Sequence, residues 1–470
     1  MPLPTIPSGN VASATGGGFS VANSIRFNGD SYLHKQLGTA TNNKICTVSL
    51  WVKPQVSDSR NTFVSGGRDG NNYQKFRTAN DAFSFYGNHS SSNNIHLECN
   101  RVLRDPSAFY HVVMAFDSTQ ASSSNRIKLY VNGVQETSFN NATYPAEDAI
   151  CYFTESSSSD IFVGAFGRQD DTIGEQGEGY FAEVCVIDGQ ALTPTSFGEY
   201  DEDSPSIWKP IDVSGLTFGN NGFYLDFEDS SNLGNDVNGG TDLTSVSLDA
   251  TDQATDTPTN NFCTLNPLFK SGAFSSSTGA VALSQGNCHL AEATHAVVCG
   301  TMGVTRGKWY WEVKMNGNDY AFGVLGTEPA GNASHSYNDS TAYGIYIESS
   351  GGNTITAGSW SGSAIYTGNA TYMIAIDVDN NKLWCGKDGS WTGDPANGTG
   401  NSVTLGTHEY AAWFHSAGTA GDNSASVNFG GCPSFTVSSS NSDGNGYGNF
   451  EYAVPSGFYS LCTKNLAEYG

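Results

Sequence analysis

Arg126-Ile-Lys-Leu-Tyr-Val-Asn-Gly-Val134 places Ile127, Leu129 and Val131 at every second position and then reaches Asn132-Gly133. Period two marks a strand with one buried face. Asn-Gly between such runs marks a hairpin, because both residues accept the positive φ of a type I′ turn. Gly307-Lys-Trp-Tyr-Trp-Glu-Val313 repeats the alternation. It sets Trp309, Trp311, Val313 and Met315 against Tyr310, Glu312 and Lys314. Ile374-Ala-Ile-Asp-Val-Asp-Asn-Asn-Lys-Leu-Trp-Cys-Gly386 adds another hairpin, turning at Asp379-Asn380-Asn381.

The same pattern spreads outward from these stretches. Cys46, Val48, Leu50 and Val52 alternate with Thr47, Ser49, Trp51 and Lys53, and Val112, Met114 and Phe116 follow suit. Asp160 to Gly164 and Gly179 to Gly189 supply further strands, as do Tyr320 to Leu325, Tyr343 to Ile347, Tyr410 to His415 and Ala425 to Phe429. Pro455 to Cys462 reads as a closing strand. Only Leu192 to Tyr200 hints at a helical turn, with Pro194 at a favoured first position. The pattern predicts an all-β protein of two antiparallel β-sandwiches in tandem.

Composition agrees. At 470 residues the chain is too long for one core, and Gly, Ser, Asn and Thr are abundant while charge is sparse. The formal net charge of −25 is spread along the chain, which favours solubility and argues against nucleic acid, whose phosphates need a basic face. No apolar run approaches the roughly 20 residues of a membrane span. The start, Met1-Pro-Leu-Pro-Thr-Ile-Pro-Ser-Gly9, lacks the pattern of a secretory signal. Ten cysteines at irregular spacings, several at apolar strand positions, are expected to be reduced thiols made in a reducing cytoplasm rather than a disulfide framework. Six Asn-x-Ser/Thr triplets are expected by chance in a chain of this composition.

Four segments are expected. Residues 1–20, with three prolines and Gly16-Gly17-Gly18, form an extended arm; 21–210 the first sandwich; 211–265 an acidic connector; and 266–470 the second sandwich. The connector carries nine acids between Pro210 and Leu265 and no Lys or Arg.

The first sandwich resembles the laminin-G-like, concanavalin-A-like jelly rolls. The resemblance rests on Ser24-Ile-Arg-Phe-Asn-Gly-Asp-Ser-Tyr-Leu33, Cys46-Thr-Val-Ser-Leu-Trp-Val-Lys-Pro54, Phe109-Tyr-His-Val-Val-Met-Ala-Phe-Asp117 and Leu129-Tyr-Val-Asn-Gly133. The second resembles a SPRY domain through Gly307 to Val313, Ala321-Phe-Gly-Val324, Tyr343-Gly-Ile-Tyr346, the hairpin 377–389 and Ala425-Ser-Val-Asn-Phe-Gly430. The order of the two, with Ile187 to Gly198, Asn221 to Phe227 and Asp256 to Pro267 between them, resembles structural proteins of tailed bacteriophages. That resemblance implies a virion component assembled in the host cytoplasm: a non-enzymatic tail fibre or spike that attaches to host surface glycan or protein. It would be a homotrimer joined to other virion proteins through the arm. The alternative is a capsid decoration or capsid-fibre protein, and more remotely a glycan depolymerase.

Catalytic signatures are sought in vain. Laminarinase-type glucanases align carboxylates along one strand as Glu-x-Asp-x-x-Glu. The nearest string, Glu199-Tyr-Asp-Glu-Asp-Ser204, ends in serine and follows the helical turn. Nine histidines show no zinc-like spacing, and His111 and His415 fall within strand patterns as structural residues. Calcium gathers oxygens from separate loops, so Asp69, Asp170 and Asp171 are candidate ligands. Glycan binding asks for exposed aromatics that stack on sugar rings. Trp51, Trp309, Trp311, Trp384 and Trp413 read as core, and Trp391 belongs to the second hairpin. Trp360, in the polar stretch Ala357-Gly-Ser-Trp-Ser-Gly-Ser363, and Tyr337 are the candidate ligand-binding residues.

Overall fold

The computed structural model describes residues 18–470 except 56–59, 91–92, 157, 272–281, 292–295, 318–319, 327–339, 349–350, 364–368 and 417–423. The expected arm thus lies almost wholly outside the described residues. The chain is all-β and forms two units, one running Thr15–Thr259 and the other including Asn260–Gly470.

The first unit is a sandwich of two eight-stranded antiparallel sheets. One sheet runs Val134–Gln135, Ile127–Val131, Tyr110–Asp117, Ile45–Pro54, Glu178–Asp188, Ser24–Asn28 and Gln253–Ala254, with Phe223–Leu225 also on Glu178–Asp188. The other runs Phe139–Thr143, Asn93–Val102, Ala82–His89, Asn72–Ala79, Arg60–Asp69, Asp160–Val163, Tyr32–Gln36 and Thr244–Val246. The alternation explains the core: Cys46, Val48, Leu50, Val52, Met114, Phe116, Leu129 and Val131 from the first sheet meet Phe63, Phe76, Phe85, Leu97 and Val163 from the second. Each fully buried Phe contributes roughly 2–3 kcal/mol by leaving water. The turn at Asn132-Gly133 has φ of 48° and 79°, as a type I′ hairpin requires.

Two expectations for this unit need correction. Residues 211–265 are not a surface connector. As far as Thr259 they complete the first sandwich, with strands Phe223–Leu225, Thr244–Val246 and Gln253–Ala254 in its sheets. Phe223, Leu225, Phe227, Leu233 and Leu243 lie in its core. The acids that suggested a solvated linker are largely turn-makers: Asp229 and Asp249 accept bonds from the backbone two residues ahead, at 2.9 and 2.8 Å. Nor are all ten thiols free. Cys46 and Cys151 form a disulfide across a sequence separation of 105, and the other eight cysteines are buried thiols. The Cys151 amide donates to Asn43 O at 2.7 Å, which brings this loop residue to the core-facing start of the strand Ile45–Pro54.

The second unit is also a sandwich. Its seven-stranded sheet runs Leu265–Ser271, Ala296–Val304, Tyr410–Ser416, Tyr320–Gly326, Ala342–Glu348, Gly351–Thr356 and Ser359–Ser363. Its nine-stranded sheet centres on Lys308–Asn316 between Ser424–Asn428 and Thr371–Asp377. Trp309, Trp311, Val313 and Met315 face the shared core, as the alternation predicts. Tyr310 lies on the outer side with Met373, Trp384 and Phe450. Glu312 there accepts from Tyr310 Oη at 2.9 Å and from the Glu451 and Tyr452 amides at 3.0 and 2.8 Å. These bonds tie the long Ser/Asn/Gly loop to the sheet. The expected closing strand shrinks to Tyr459–Ser460, parallel to Lys308–Asn316, and the chain ends in a helix, Thr463–Tyr469. That helix is too short to show a period in the sequence, and Leu466 is its one residue in the core.

Candidate functional site: the open face of the first sandwich

The two outer faces of the first sandwich differ. The sheet containing Ile45–Pro54 is sealed, because Phe197, Val213 and Phe218 fold back over it and pack with its outward Val113, Cys185, Ile187 and Tyr224. His111 sits under this cover, fully buried beside Trp51 at a ring distance of 4.8 Å. Trp208 Nε1 can only donate, and it meets His111 Nδ1 at 2.9 Å. The ring proton therefore sits on Nε2 and is donated to Ser49 Oγ at 2.8 Å. Burial drives the His111 pKa down to about 3. A histidine that donates to the serine cannot deprotonate it, so this pair is structural, as expected for His111. The side chain of His415 is outside the described ones.

The opposite sheet keeps its outer face partly open. Along Asn72–Ala79, Gln74, Phe76 and Thr78 alternate with Tyr73, Lys75 and Arg77; Phe76 enters the core, so the second set faces outward. Register puts Tyr86 opposite Lys75, and His96 opposite Tyr86. Tyr32 and His34 extend the face on Tyr32–Gln36, where His34 stacks on Phe162 at 5.5 Å. Tyr73, Tyr86, His96, Tyr32 and His34 are all half-buried, leaving ring surface to solvent.

Charge concentrates at the centre of this face. Glu175 receives Arg77 Nη1 at 2.6 Å, Lys75 Nζ at 2.9 Å and Arg60 Nη1 at 3.1 Å. Burial pushes the Glu175 carboxyl up, but the Lys75 bond and the two nearby positive charges prevail and hold it below the usual carboxylate range. Lys75 Nζ also lies 3.9 Å from the Phe166 ring centre, 5.3 Å from Tyr73 and 5.6 Å from Tyr86. Burial pulls the Lys75 pKa down to about 8 in spite of Glu175. At the sheet's far edge a cavity of about 540 Å³ is lined by Asn94, Thr143, Tyr144, Ser123 and Arg126.

The residues expected to act are placed differently. Trp360 is not in a loop: its backbone belongs to the edge strand Ser359–Ser363, opposite Ile355. Ala357 and Gly358, with φ of 49° and 73°, make the tight turn that precedes it. Its side chain is outside the described ones, and Tyr337 lies outside the described residues altogether. Asp69 and the Asp170-Asp171 pair are brought near one another, since Gln169 N donates to Gly67 O at 3.1 Å. The carboxylates of Asp69 and Asp170 serve their own turns. Asp69 accepts from Asn71 N at 2.8 Å, which is the main reason its pKa is lowered. Asp170 accepts from Thr172 N at 3.3 Å and pairs with Arg168 Nε at 3.2 Å. Among the described residues no group of three or more His, Cys, Asp or Glu is placed to hold a metal. Glu199 and Asp201 share one cation, Lys209, at 3.5 and 3.2 Å.

Sequence reasoning missed Tyr73, Lys75, Arg77, Tyr86 and Glu175. The signal was present in Asn72-Tyr-Gln-Lys-Phe-Arg77, where an aromatic and two cations share one strand face in a chain with only 21 Lys and Arg.

No curated protein matches the chain. Among solved structures it is similar to a native heptameric SAP-like pentraxin from Limulus polyphemus, at 17% identity over 37% of this chain and 80% of that one, TM-score 0.28. It is similar to a candidate carbohydrate-binding protein from Bacteroides ovatus, at 15% identity over 48% of this chain and 58% of that one, TM-score 0.34. It is also similar to the SPRY domain of human HERC1, at 12% identity over 37% of this chain and 99% of that one, TM-score 0.26. The match thus spans less than two thirds of the Bacteroides protein's own length. Residues 27–171 match the family model Laminin_G_3, the concanavalin A-like lectin/glucanases superfamily, and these residues include every strand of the open sheet except Thr244–Val246.

Proposed function

We propose that this chain is a non-catalytic attachment protein that binds surface glycan through the open face of its first sandwich. The observation that carries the reading is the asymmetry of that sandwich. One outer face is sealed by packing, while the other presents half-buried Tyr32, Tyr73, Tyr86, His34 and His96 beside charged hydrogen-bonders. Rings of this kind stack on sugar faces, and charged and amide groups beside them fix orientation. The lectin-like family match over 27–171 supports the same choice. The non-catalytic part is supported by the state of the acids. Glycoside hydrolysis needs one carboxylic acid and one free carboxylate facing each other. Glu175 is instead held by three cations, and Glu199 and Asp201 share Lys209. A setting in a phage virion, as a trimer anchored by residues 1–20, belongs to the same proposal and rests on the sequence resemblance.

The test is adsorption. Purified protein should bind host cells or their extracted polysaccharide and release no reducing ends. Tyr86→Ala should weaken binding about tenfold, the scale of one lost stacking contact, without lowering the melting temperature by more than a few degrees. Incorporation into particles with no adsorption would favour the purely structural alternative.

A further inference from the structure

Resting on the glycan-binding reading, the geometry points to an acidic glycan as the ligand: a sugar chain bearing carboxylates or sulfates, received by Lys75, Arg77 and Arg60. The chain as a whole carries −25, yet here three cations converge on one carboxylate. The side chains of Lys75 and Arg77 are each only 6% exposed. Arg77 Nε is shut away from solvent and makes no hydrogen bond. Three positive charges against one negative leave an excess in a partly desolvated place, where uncompensated charge is costly. The folded chain offsets part of it with ring faces, Tyr86 lying 5.1 Å from the Arg77 guanidinium and Phe166 under Lys75.

One cation would suffice to neutralise Glu175, yet three are present. They lie on the sheet's outer face, away from the core formed by Phe76, Phe83 and Phe85. An incoming anion, entering beside the exposed Arg60, would offset the imbalance, and its sugar ring would meet Tyr73 and Tyr86 beside the charge. A neutral sugar would stack but leave the excess untouched. Adventitious capture of polyanions is disfavoured, because the whole-molecule charge repels them. Acidic binding would therefore report a local site.

Titration calorimetry of the full chain can decide this with three short oligosaccharides: a polyuronate fragment, a sulfated dextran fragment and the same dextran unsulfated. At least one acidic oligomer should bind about tenfold or more tightly than neutral dextran, and its affinity should fall as salt rises. The arm that binds distinguishes a carboxylate from a sulfate. Arg77→Gln should weaken binding about tenfold or more, the scale of a desolvated charge contact. Arg60 is 59% exposed, so Arg60→Gln should leave the melting temperature unchanged and still cost about threefold. Arg60→Gln thus decides the matter if Arg77→Gln fails to fold. Equal binding of neutral dextran, or acidic binding indifferent to both substitutions, overturns the inference while leaving glycan binding in place. Failure of all three oligomers together with host polysaccharide overturns both.

Discussion

At the scale of single residues, two buried titratable groups set opposite pH dependences. His111 has a folded pKa of about 3, below its unfolded value of about 6.5. Its contribution is therefore full above pH 6.5 and is lost as pH falls towards 3, by up to about 1.4 kcal/mol per pH unit. Glu183 is the mirror case. It sits at a bulge in Glu178–Asp188 with φ of 52°, and burial raises its carboxyl to about 8 while Tyr224 Oη donates to it at 2.6 Å. Its folded pKa lies above the unfolded one, so its contribution is full below about 4.5 and is lost as pH rises through 8. Chemical denaturation from pH 3 to 9 should show stability rising to about pH 4.5 through His111, little net change to about 6.5 where the two oppose, and a fall towards 8 through Glu183. Glu183→Gln should flatten the alkaline side. His111→Gln should flatten the acid side and cost about 2–3 kcal/mol at pH 7, because Trp208 Nε1 and Ser49 lose their shared partner.

At the scale of elements, the hairpins carry the most local information. Asn132-Gly133 was legible because its conformation depends on two residues and the strands beside them. A Cβ on Gly133 would lie 2.6 Å from the Trp208 ring and would also face a φ of 79°. Gly133→Ala should lower stability by about 2–3 kcal/mol in thermal unfolding, from backbone strain and overpacking together. Other elements were not legible, for physical reasons. Period two shows that Tyr73, Lys75 and Arg77 share a face, but not which face of the sandwich stays open. That depends on residues 189–218 folding back over the other sheet, a tertiary event with no local signature. Trp360 looked like a loop residue because Gly and Ser surround it, yet its hairpin is built from backbone pairing that small polar residues permit.

At the scale of the whole molecule, tandem all-β architecture was readable from repeated alternation, while the division point was not. Nine acids without a cation imitate a linker, but Phe223, Leu225 and Phe227 among them are core residues. The pairing of Cys46 with Cys151 was likewise out of reach, since 105 residues separate them. Denaturing mass spectrometry without reductant should count eight alkylatable cysteines, and ten after reduction. Closing a loop of that length restrains the unfolded chain, so Cys46→Ser should cost about 2–5 kcal/mol. Each unit has its own core. Residues 18–259 and 260–470, expressed separately, should each melt cooperatively.

The sealed sheet also governs how such a protein can diversify. Side chains under the 189–218 cover answer to packing on both sides, so nearly every exchange there is taxed by the fold. On the other sheet the outward positions of the same strands owe little to the core. A population under pressure to recognise a new surface could therefore rewrite positions 32, 34, 73, 86 and 96 while inheriting the scaffold unaltered. Variation concentrated on that one face, against constancy beneath the cover, is the historical trace this architecture should leave.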